Sequence, residues 1–241
     1  MFGKRQQPLR YLTVVTYGRT GSTALQAALN SLPGVLIRGE NYSALRGLET
    51  YVQAIAETAD RHHAKRPRHP WFGSAGLQPQ AILDDQRRHV IEQVLQPAKD
   101  TTVIGFKEVR YEPGHFESYE VMLSYLLFLN KLFPGITYII NVREPEAAAR
   151  SGWWPDHADP IAALTQSRDW LVDVTADLNA ILGNKQAHLL KYEDWQENPE
   201  ALIQAFNAMQ LPRNDAGVRN ALAVKLDHGP HATDVDLEVN E

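Results

Sequence analysis

The chain has 241 residues, of which 44% are hydrophobic and 22% charged, so it can bury the core of one soluble α/β domain. Its net charge of −5 argues against a protein that coats nucleic acid, and its lack of cysteine excludes disulfides, thiol catalysis and cysteine-ligated zinc. Because no signal-peptide core precedes the first predicted strand and no stretch is long and apolar enough to span a bilayer, we expect a cytoplasmic protein.

Short apolar strands alternate with helices along the chain. The predicted strands cover 11–16, 35–37, 101–106, 136–142 and 187–191. The predicted helices cover 22–32, 43–59, 80–96, 117–132, 145–151, 161–182 and 199–209. Continuous apolar strands that alternate with helices are typical of a mainly parallel sheet covered on both faces. We therefore predict a single three-layer α/β/α domain over residues 1–241.

The loop after the first strand has the composition of an anion site. Residues 17–23 read Tyr-Gly-Arg-Thr-Gly-Ser-Thr. The two glycines let the backbone turn sharply, and Ser22 or Thr23 can cap the helix, whose first amides are unpaired. With Arg19 and the positive end of the helix dipole, these groups make a site for a phosphate or a similar oxyanion. The alternative is a purely structural turn, since the nucleoside-triphosphatase pattern needs a longer loop and a lysine after its second glycine.

Residues 60–79 interrupt the alternation with a basic, histidine-rich stretch that contains prolines and glycines. A loop of this length in a compact domain is usually functional or disordered. The histidines His62, His63 and His69 suggest a metal, but no acidic residue or further histidine stands at ligand spacing, so we favour a solvated loop. Trp71 either lines an acceptor pocket, with the loop as its lid, or anchors the loop.

A second anion site is predicted at the end of the fourth strand. Arg143 follows strand 136–142, and Ser151 follows eight residues later, after a short helix. The carboxyl ends of parallel strands present ligand groups, and two helical turns can bring Ser151 back toward the same ligand. An arginine fork and a hydroxyl suit a phosphomonoester. The alternative is a solvated arginine, or one paired with Glu144.

These two motifs, followed by a Tyr-Glu-Asp segment at residues 192–194, resemble in type and order the sulfotransferases that use 3′-phosphoadenosine 5′-phosphosulfate (PAPS). The resemblance covers residues 11–205 and is greater to bacterial carbohydrate-type and tyrosylprotein-type members. It implies a P-loop-like sulfotransferase fold that binds PAPS and releases adenosine 3′,5′-bisphosphate (PAP). The cofactor-binding residues that it implies are Arg19, Thr20, Gly21, Ser22 and Thr23 at the 5′-phosphosulfate, Arg143 and Ser151 at the 3′-phosphate, and Tyr192 near the adenine.

The resemblance also implies a catalytic set, namely Glu40, Arg19 and Lys107. Related enzymes place a catalytic glutamate in a Gly-Glu segment, which here contains Glu40; the alternative role is to stabilise the dipole of the following helix. Many members have lysine at the position of Arg19, and because arginine stays charged, it would stabilise the leaving group electrostatically. Lys107 is expected near the sulfuryl or bridging oxygens. Glu108 and His115 are other candidates for the base, although an ion pair with Lys107 or Arg110 is the favoured role of Glu108.

The residues predicted to contact the acceptor are Glu40, Tyr42, Trp71, His115 and Trp153. Trp153 equally suits a packing role in the core. The sequence therefore predicts a sulfotransferase that acts, without a metal, on a hydroxyl or amine of a carbohydrate or small molecule. The alternatives are a nucleotide kinase or triphosphatase and a non-catalytic nucleotide-binding protein. The acceptor and the oligomeric state stay open.

Overall fold

Five parallel strands form the centre of the computed structural model, which describes residues 8–183 and 185–224. The strands are β1 (Arg10–Thr16), β2 (Val35–Arg38), β3 (Val103–Glu108), β4 (Thr137–Val142) and β5 (Ala187–Lys191). They lie in the order β2-β3-β1-β4-β5, and every neighbouring pair is parallel. This sheet confirms the predicted α/β fold. The first residues, on which the expectation about an export signal rests, lie outside the described residues.

Helices cover both faces of the sheet. They are α1 (Ser22–Asn30), α2 (Leu45–Arg61), α3 (Pro79–His89), α4 (Tyr119–Leu132), α5 (Pro145–Ala149), α6 (Pro160–Leu182), α7 (Tyr192–Trp195), α8 (Pro199–Ala208) and α9 (Asp215–Ala223). Side chains of α1, α8 and α9 pack on one face, and those of α2 to α6 pack on the other. None of these helices combines the length and the apolar character that a membrane crossing requires.

The two central strands are buried on both sides because adjacent side chains point to opposite faces. Val14 and Ile139 pack among the residues of α1 and α8, whereas Val15 and Ile140 pack among those of α4 and α6. All four side chains are fully buried, and each contributes about 1.5–3 kcal/mol on leaving water. The ends of β1 and β4 are thereby fixed, so the loops that follow them start from a rigid base.

Local details differ from the predicted elements. The predicted helix 80–96 is an α-helix to His89 followed by a π-helical turn, Val90–Leu95. The short helix α7 and the helix α9 were not predicted, because four residues show no periodicity and α9 has a weak apolar pattern. Within 60–79, α2 extends to Arg61 and a 3₁₀ turn forms at Ser74–Gly76, so this stretch is only partly a loop.

Candidate active site

The loops that follow β1, β2, β3 and β4 meet at the carboxyl edge of the sheet. In the register of the sheet, Val14 of β1 stands beside Lys107 of β3, and Thr16 stands beside Asn141 of β4. The pocket between the loops has a volume of about 180 Å³. It is lined by Gly18, Arg19, Gly21, Ser22, Thr23, Glu40, Lys107, Val109, Arg143, Trp153 and Tyr192. Ligands of open parallel sheets bind at this edge.

The loop before α1 is held by buried hydrogen bonds to residues at the ends of β1 and β4. The hydroxyls of Thr16 and Thr20 lie 2.7 Å apart, and Nδ2 of Asn141 donates to the backbone oxygen of Thr20 (2.8 Å). Thr20 is fully buried, so its side chain does not line the pocket as predicted and instead anchors the loop. Arg19, Ser22 and Thr23 are among the residues that do line it.

The start of α1 is not capped as the sequence suggested. The N-cap residue is Gly21 in the left-handed conformation (φ 73°), and no side chain caps the helix. Neither Ser22 nor Thr23 therefore takes the capping role, because both already belong to the first turn. Their hydroxyls and the first amides of α1 remain available to an anion in the pocket.

We expect Gly21→Ala to lower the stability of the fold. A Cβ at this position would lie 2.3 Å from Cε2 of Tyr192, and the positive φ is unfavourable to any residue with a side chain. Holding an alanine in this left-handed backbone conformation costs about 1–2 kcal/mol, which in a chain of this size lowers Tm by several degrees. The matched control is Gly47→Ala on α2, where a Cβ meets nothing within 4 Å. Equal Tm values for the two variants would contradict the tight packing of the loop on Tyr192.

Arg143 connects the end of β4 with this loop. Its Nη1 donates to the backbone oxygen of Arg19 (2.8 Å), and its guanidinium carbon lies 4.6 Å from the ring centre of Tyr192. Its Nε is buried and has no partner among the described residues. Arg19 in turn donates from Nε to Oγ of Ser151 (2.9 Å). The structure thus brings Arg19, Arg143, Ser151 and Tyr192 together, although Ser151 reaches the pocket only through Arg19.

Sequence reasoning missed the residue that fixes the backbone of Arg143. The Tyr17 hydroxyl accepts a hydrogen bond from the Arg143 amide (2.9 Å) and donates to the Arg143 carbonyl oxygen. Burial raises the pKa of Tyr17 to about 12, so the hydroxyl stays protonated at neutral pH. A tyrosine at the end of an apolar strand looks like an ordinary core residue, and nothing in the sequence marks its partner 126 residues away.

Glu40 and Lys107 form an ion pair in the wall of the pocket. Nζ of Lys107 lies 2.8 Å from Oε1 of Glu40, and Nη1 of Arg110 lies 3.7 Å from its other oxygen. The Lys107 side chain is 6% exposed, whereas that of Glu40 is 37% exposed. The carboxylate can therefore meet an incoming group while the buried ammonium balances its charge.

Glu108 is committed to structural contacts. It is 2% exposed and accepts hydrogen bonds from the Ser43 amide (2.8 Å), the Val109 amide (2.9 Å) and Nη1 of Arg110 (2.9 Å). It also accepts from the amide of Asn41 at 3.3 Å. Because Glu108 fastens the segment that follows Glu40, the geometry favours the ion-pair role over that of a base.

His115 and Trp71, two of the residues predicted to contact the acceptor, do not line the pocket. Nδ1 of His115 faces Oε1 of Glu112 at 3.2 Å. Trp71 stacks on His62 (ring centres 4.1 Å apart) at the far end of α2, a helix of 17 residues that spans about 25 Å. The structure therefore places Trp71 away from the pocket and favours the alternative role, in which it anchors the loop.

Tyr42 and Trp153, the other predicted acceptor contacts, lie nearer. Trp153 lines the pocket, is 43% exposed and packs so closely on Gly18 that a Cβ there would lie 2.5 Å from its ring. Tyr42 is 80% exposed, outside the pocket lining, and the guanidinium of Arg110 lies 4.1 Å from its ring centre. Trp153 therefore stays the aromatic candidate for an acceptor contact.

Glu112, the neighbour of His115, gives a pH-dependent stability prediction. Burial raises the pKa of Glu112 to about 7, and its Oε2 has no partner among the described residues. Since the pKa rises from 4.5 on folding, the cost of the buried charge is absent below about pH 4.5 and complete above about pH 7. We expect Glu112→Gln to stabilise the fold by up to about 3 kcal/mol at pH 8.

Urea unfolding of native protein and Glu112→Gln at pH 4 and pH 8 measures this change in the free energy of unfolding. The gain should be present at pH 8 and absent at pH 4, where the native carboxyl is neutral. The control is Glu117→Gln, which changes an exposed carboxyl close by. A gain of the same size at both pH values would show that Glu112 does not titrate as its burial indicates.

The comparisons with known proteins identify the class. The family model described as the sulfotransferase family matches residues 12–212, and the chain belongs to that family. No curated protein matches the sequence. Among solved structures, the fold is similar to the sulfotransferase domain of the Synechococcus PCC 7002 olefin synthase, with 18% identity over 92% of this chain and 80% of that one and a TM-score of 0.53.

A second structure of similar fold is the sulfotransferase domain from the curacin biosynthetic pathway. It has 14% identity over 91% of this chain and 80% of that one, with a TM-score of 0.51. At these identities the similarity establishes the fold alone. The family match over residues 12–212 confirms the family that the three sequence motifs indicated.

Proposed function

We propose that the protein transfers a sulfuryl group from PAPS to a hydroxyl or amine of a small-molecule or carbohydrate acceptor. The observation that carries this proposal is the junction of two anion-binding elements. The loop before α1 and the arginine after β4 are joined by the hydrogen bond from Arg143 to the backbone oxygen of Arg19. A ligand with two separate anionic groups, such as PAPS, suits a site built in this way.

The donor would lie across that junction. The first amides of α1, the hydroxyls of Ser22 and Thr23, and Arg19 face the pocket and suit the 5′-phosphosulfate. The unpartnered Nε of Arg143 suits the 3′-phosphate, since a buried guanidinium nitrogen without a partner is costly. The ring of Tyr192, which already stacks on Arg143, would stand beside the adenine.

Transfer would proceed by in-line displacement at sulfur. The acceptor oxygen or nitrogen forms a bond to sulfur, the bond from sulfur to the donor phosphate oxygen breaks, and its electron pair leaves with PAP. The acceptor proton passes to the carboxylate of Glu40. Lys107 and Arg19 stabilise the charge that develops on the oxygens, and Arg19 does so without giving up a proton. No group of three or more acidic or histidine residues that could hold a metal ion occurs among the described residues.

The test is transfer of radiolabelled sulfate from PAPS to a panel of sugars, phenols, alcohols and amines, run both without and with added Mg²⁺. We expect labelled product with at least one acceptor class and none when PAPS is replaced by labelled ATP. Phosphate transfer from ATP that requires Mg²⁺ would identify a kinase instead. Tight PAP binding with no transfer to any acceptor would favour a non-catalytic binding protein. A cytoplasmic location and a single domain stay predictions from the sequence.

A further inference from the structure

A second concave surface lies at the carboxyl end of α2, remote from the pocket. This groove has a volume of about 510 Å³ and is lined by residues between Arg61 and His69. The start of α2 lies beside the pocket, because the Ser43 amide donates a hydrogen bond to Glu108. The groove lies at the other end of this 17-residue helix, about 25 Å away. The proposed transfer reaction uses none of these residues.

The segment that forms this surface, residues 61–73, is strongly cationic; we call it the basic segment. It contains four lysines and arginines and no acidic residue, although the whole chain has a net charge of −5. Arg61 pairs with Glu57 at 3.5 Å. Lys65, Arg66 and Arg68 are exposed, and within the described part of the chain none of them has a carboxylate within 4.0 Å. Asp60, directly before the segment, offsets only part of this charge.

Two large aromatic side chains stand beside these cations. Trp71 is 47% exposed and Phe72 is 57% exposed. The loop that carries them is folded, because the Gly73 amide donates to the carbonyl oxygen of Ala64 (3.2 Å) and Trp71 stacks on His62. Adjacent exposed aromatic residues next to lysine and arginine are the composition of segments that lie in a membrane–water interface.

We propose that the basic segment docks the protein on the surface of membranes rich in anionic phospholipids. Lys65, Arg66 and Arg68 bind the negative headgroups, and the rings of Trp71 and Phe72 enter the boundary between headgroups and acyl chains. Charge complementarity selects anionic over neutral lipid. A soluble polyanion would pair with the cations but leave Phe72 in water, so the aromatic residues favour a bilayer. Because the pocket lies at the other end of α2, docking leaves it open.

The test is co-sedimentation of the full chain with vesicles of phosphatidylcholine alone or with about 30 mol% phosphatidylserine. We expect binding only to the anionic vesicles, and weaker binding at about 0.5 M salt than at about 0.1 M. The variant K65S/R66S/R68S should lower the partition constant roughly 100-fold, from about fivefold for each cation. W71S/F72S should weaken binding but leave its salt dependence in place.

The matched control is K99S/K131S/K185S, which removes three exposed lysines from other parts of the surface. It should bind anionic vesicles like the native chain. This control and K65S/R66S/R68S should keep native Tm, and all three variants should keep native PAP binding. No binding of the native chain to anionic vesicles at low salt would overturn the proposal. So would equal loss in the control, or binding to heparin without binding to vesicles, which would assign the segment to a soluble polyanion.

Discussion

Glu40→Gln should lower kcat by about 10²–10⁴-fold and leave the affinity for PAP nearly unchanged. In the native protein Nζ of Lys107 donates to Oε1 of Glu40 at 2.8 Å. The glutamine amide has the same shape and its oxygen can accept the same hydrogen bond, so the wall of the pocket is preserved. What the variant loses is the group that accepts the acceptor proton. Steady-state kinetics with a saturating acceptor, beside calorimetric titration with PAP, separates these two effects.

The size of the loss, judged against a matched control variant, distinguishes a base from a structural carboxylate. A structural carboxylate that only holds Lys107 would leave kcat of Glu40→Gln near the native value, whereas loss of the base lowers it. The control is Glu57→Gln, an exposed carboxyl on α2 that pairs only with Arg61 among the described residues and should leave kcat unchanged. Full activity of Glu40→Gln would move the base to another residue; His115 would then have to reach the pocket from beside Glu112.

Arg143→Ala should weaken PAP binding by about 1.5–3 kcal/mol, which is roughly a 10- to 150-fold increase in Kd. The cause is the loss of a charge-assisted hydrogen bond to the 3′-phosphate. The backbone of Arg143 is held by the Tyr17 hydroxyl through both its amide and its carbonyl, so truncation of the side chain leaves the strand end in place. Calorimetric titration measures the change, and Tm checks that the variant is folded.

A comparison of PAP with AMP, which lacks the 3′-phosphate, isolates that contact. AMP should bind native protein and Arg143→Ala with similar affinity, whereas PAP should distinguish them. The matched control is Arg213→Ala, an exposed arginine that pairs with Asp215 away from the pocket. An equal loss for PAP and AMP would mean that Arg143 acts through the loop, by its bond to the Arg19 carbonyl, and does not bind the 3′-phosphate.

The parts of the site that the sequence predicted are those set by strand ends. In a parallel sheet the residues at the carboxyl ends of the strands converge on one edge, where Arg19, Glu40, Lys107 and Arg143 line the pocket. The roles predicted for them came from the family resemblance. The fold is predictable because the apolar runs of β1, β3 and β4 are continuous, which is typical of strands in a parallel sheet covered on both faces. The family emerged from the order of the motifs, which the family match confirms.

The parts that were missed depend on tertiary contacts. The Thr20 hydroxyl lies against that of Thr16, and the backbone oxygen of Thr20 accepts from the distant Asn141; neither contact is evident from the sequence. The separation of Trp71 from the pocket follows from the direction and length of α2, which a sequence pattern does not fix. Glu108 accepts a hydrogen bond from the amide of Ser43 in the segment after Glu40, and this contact between two distant parts of the chain is not visible in the sequence.

The measurement that tests the central claim most directly is calorimetric titration with PAP beside ATP, each with and without Mg²⁺. The junction of Arg143 with the Arg19 loop predicts micromolar binding of PAP that does not depend on the metal, with much weaker binding of ATP. Preferential binding of ATP that requires Mg²⁺ would contradict the proposed donor and identify a phosphoryl-transfer enzyme on the same fold.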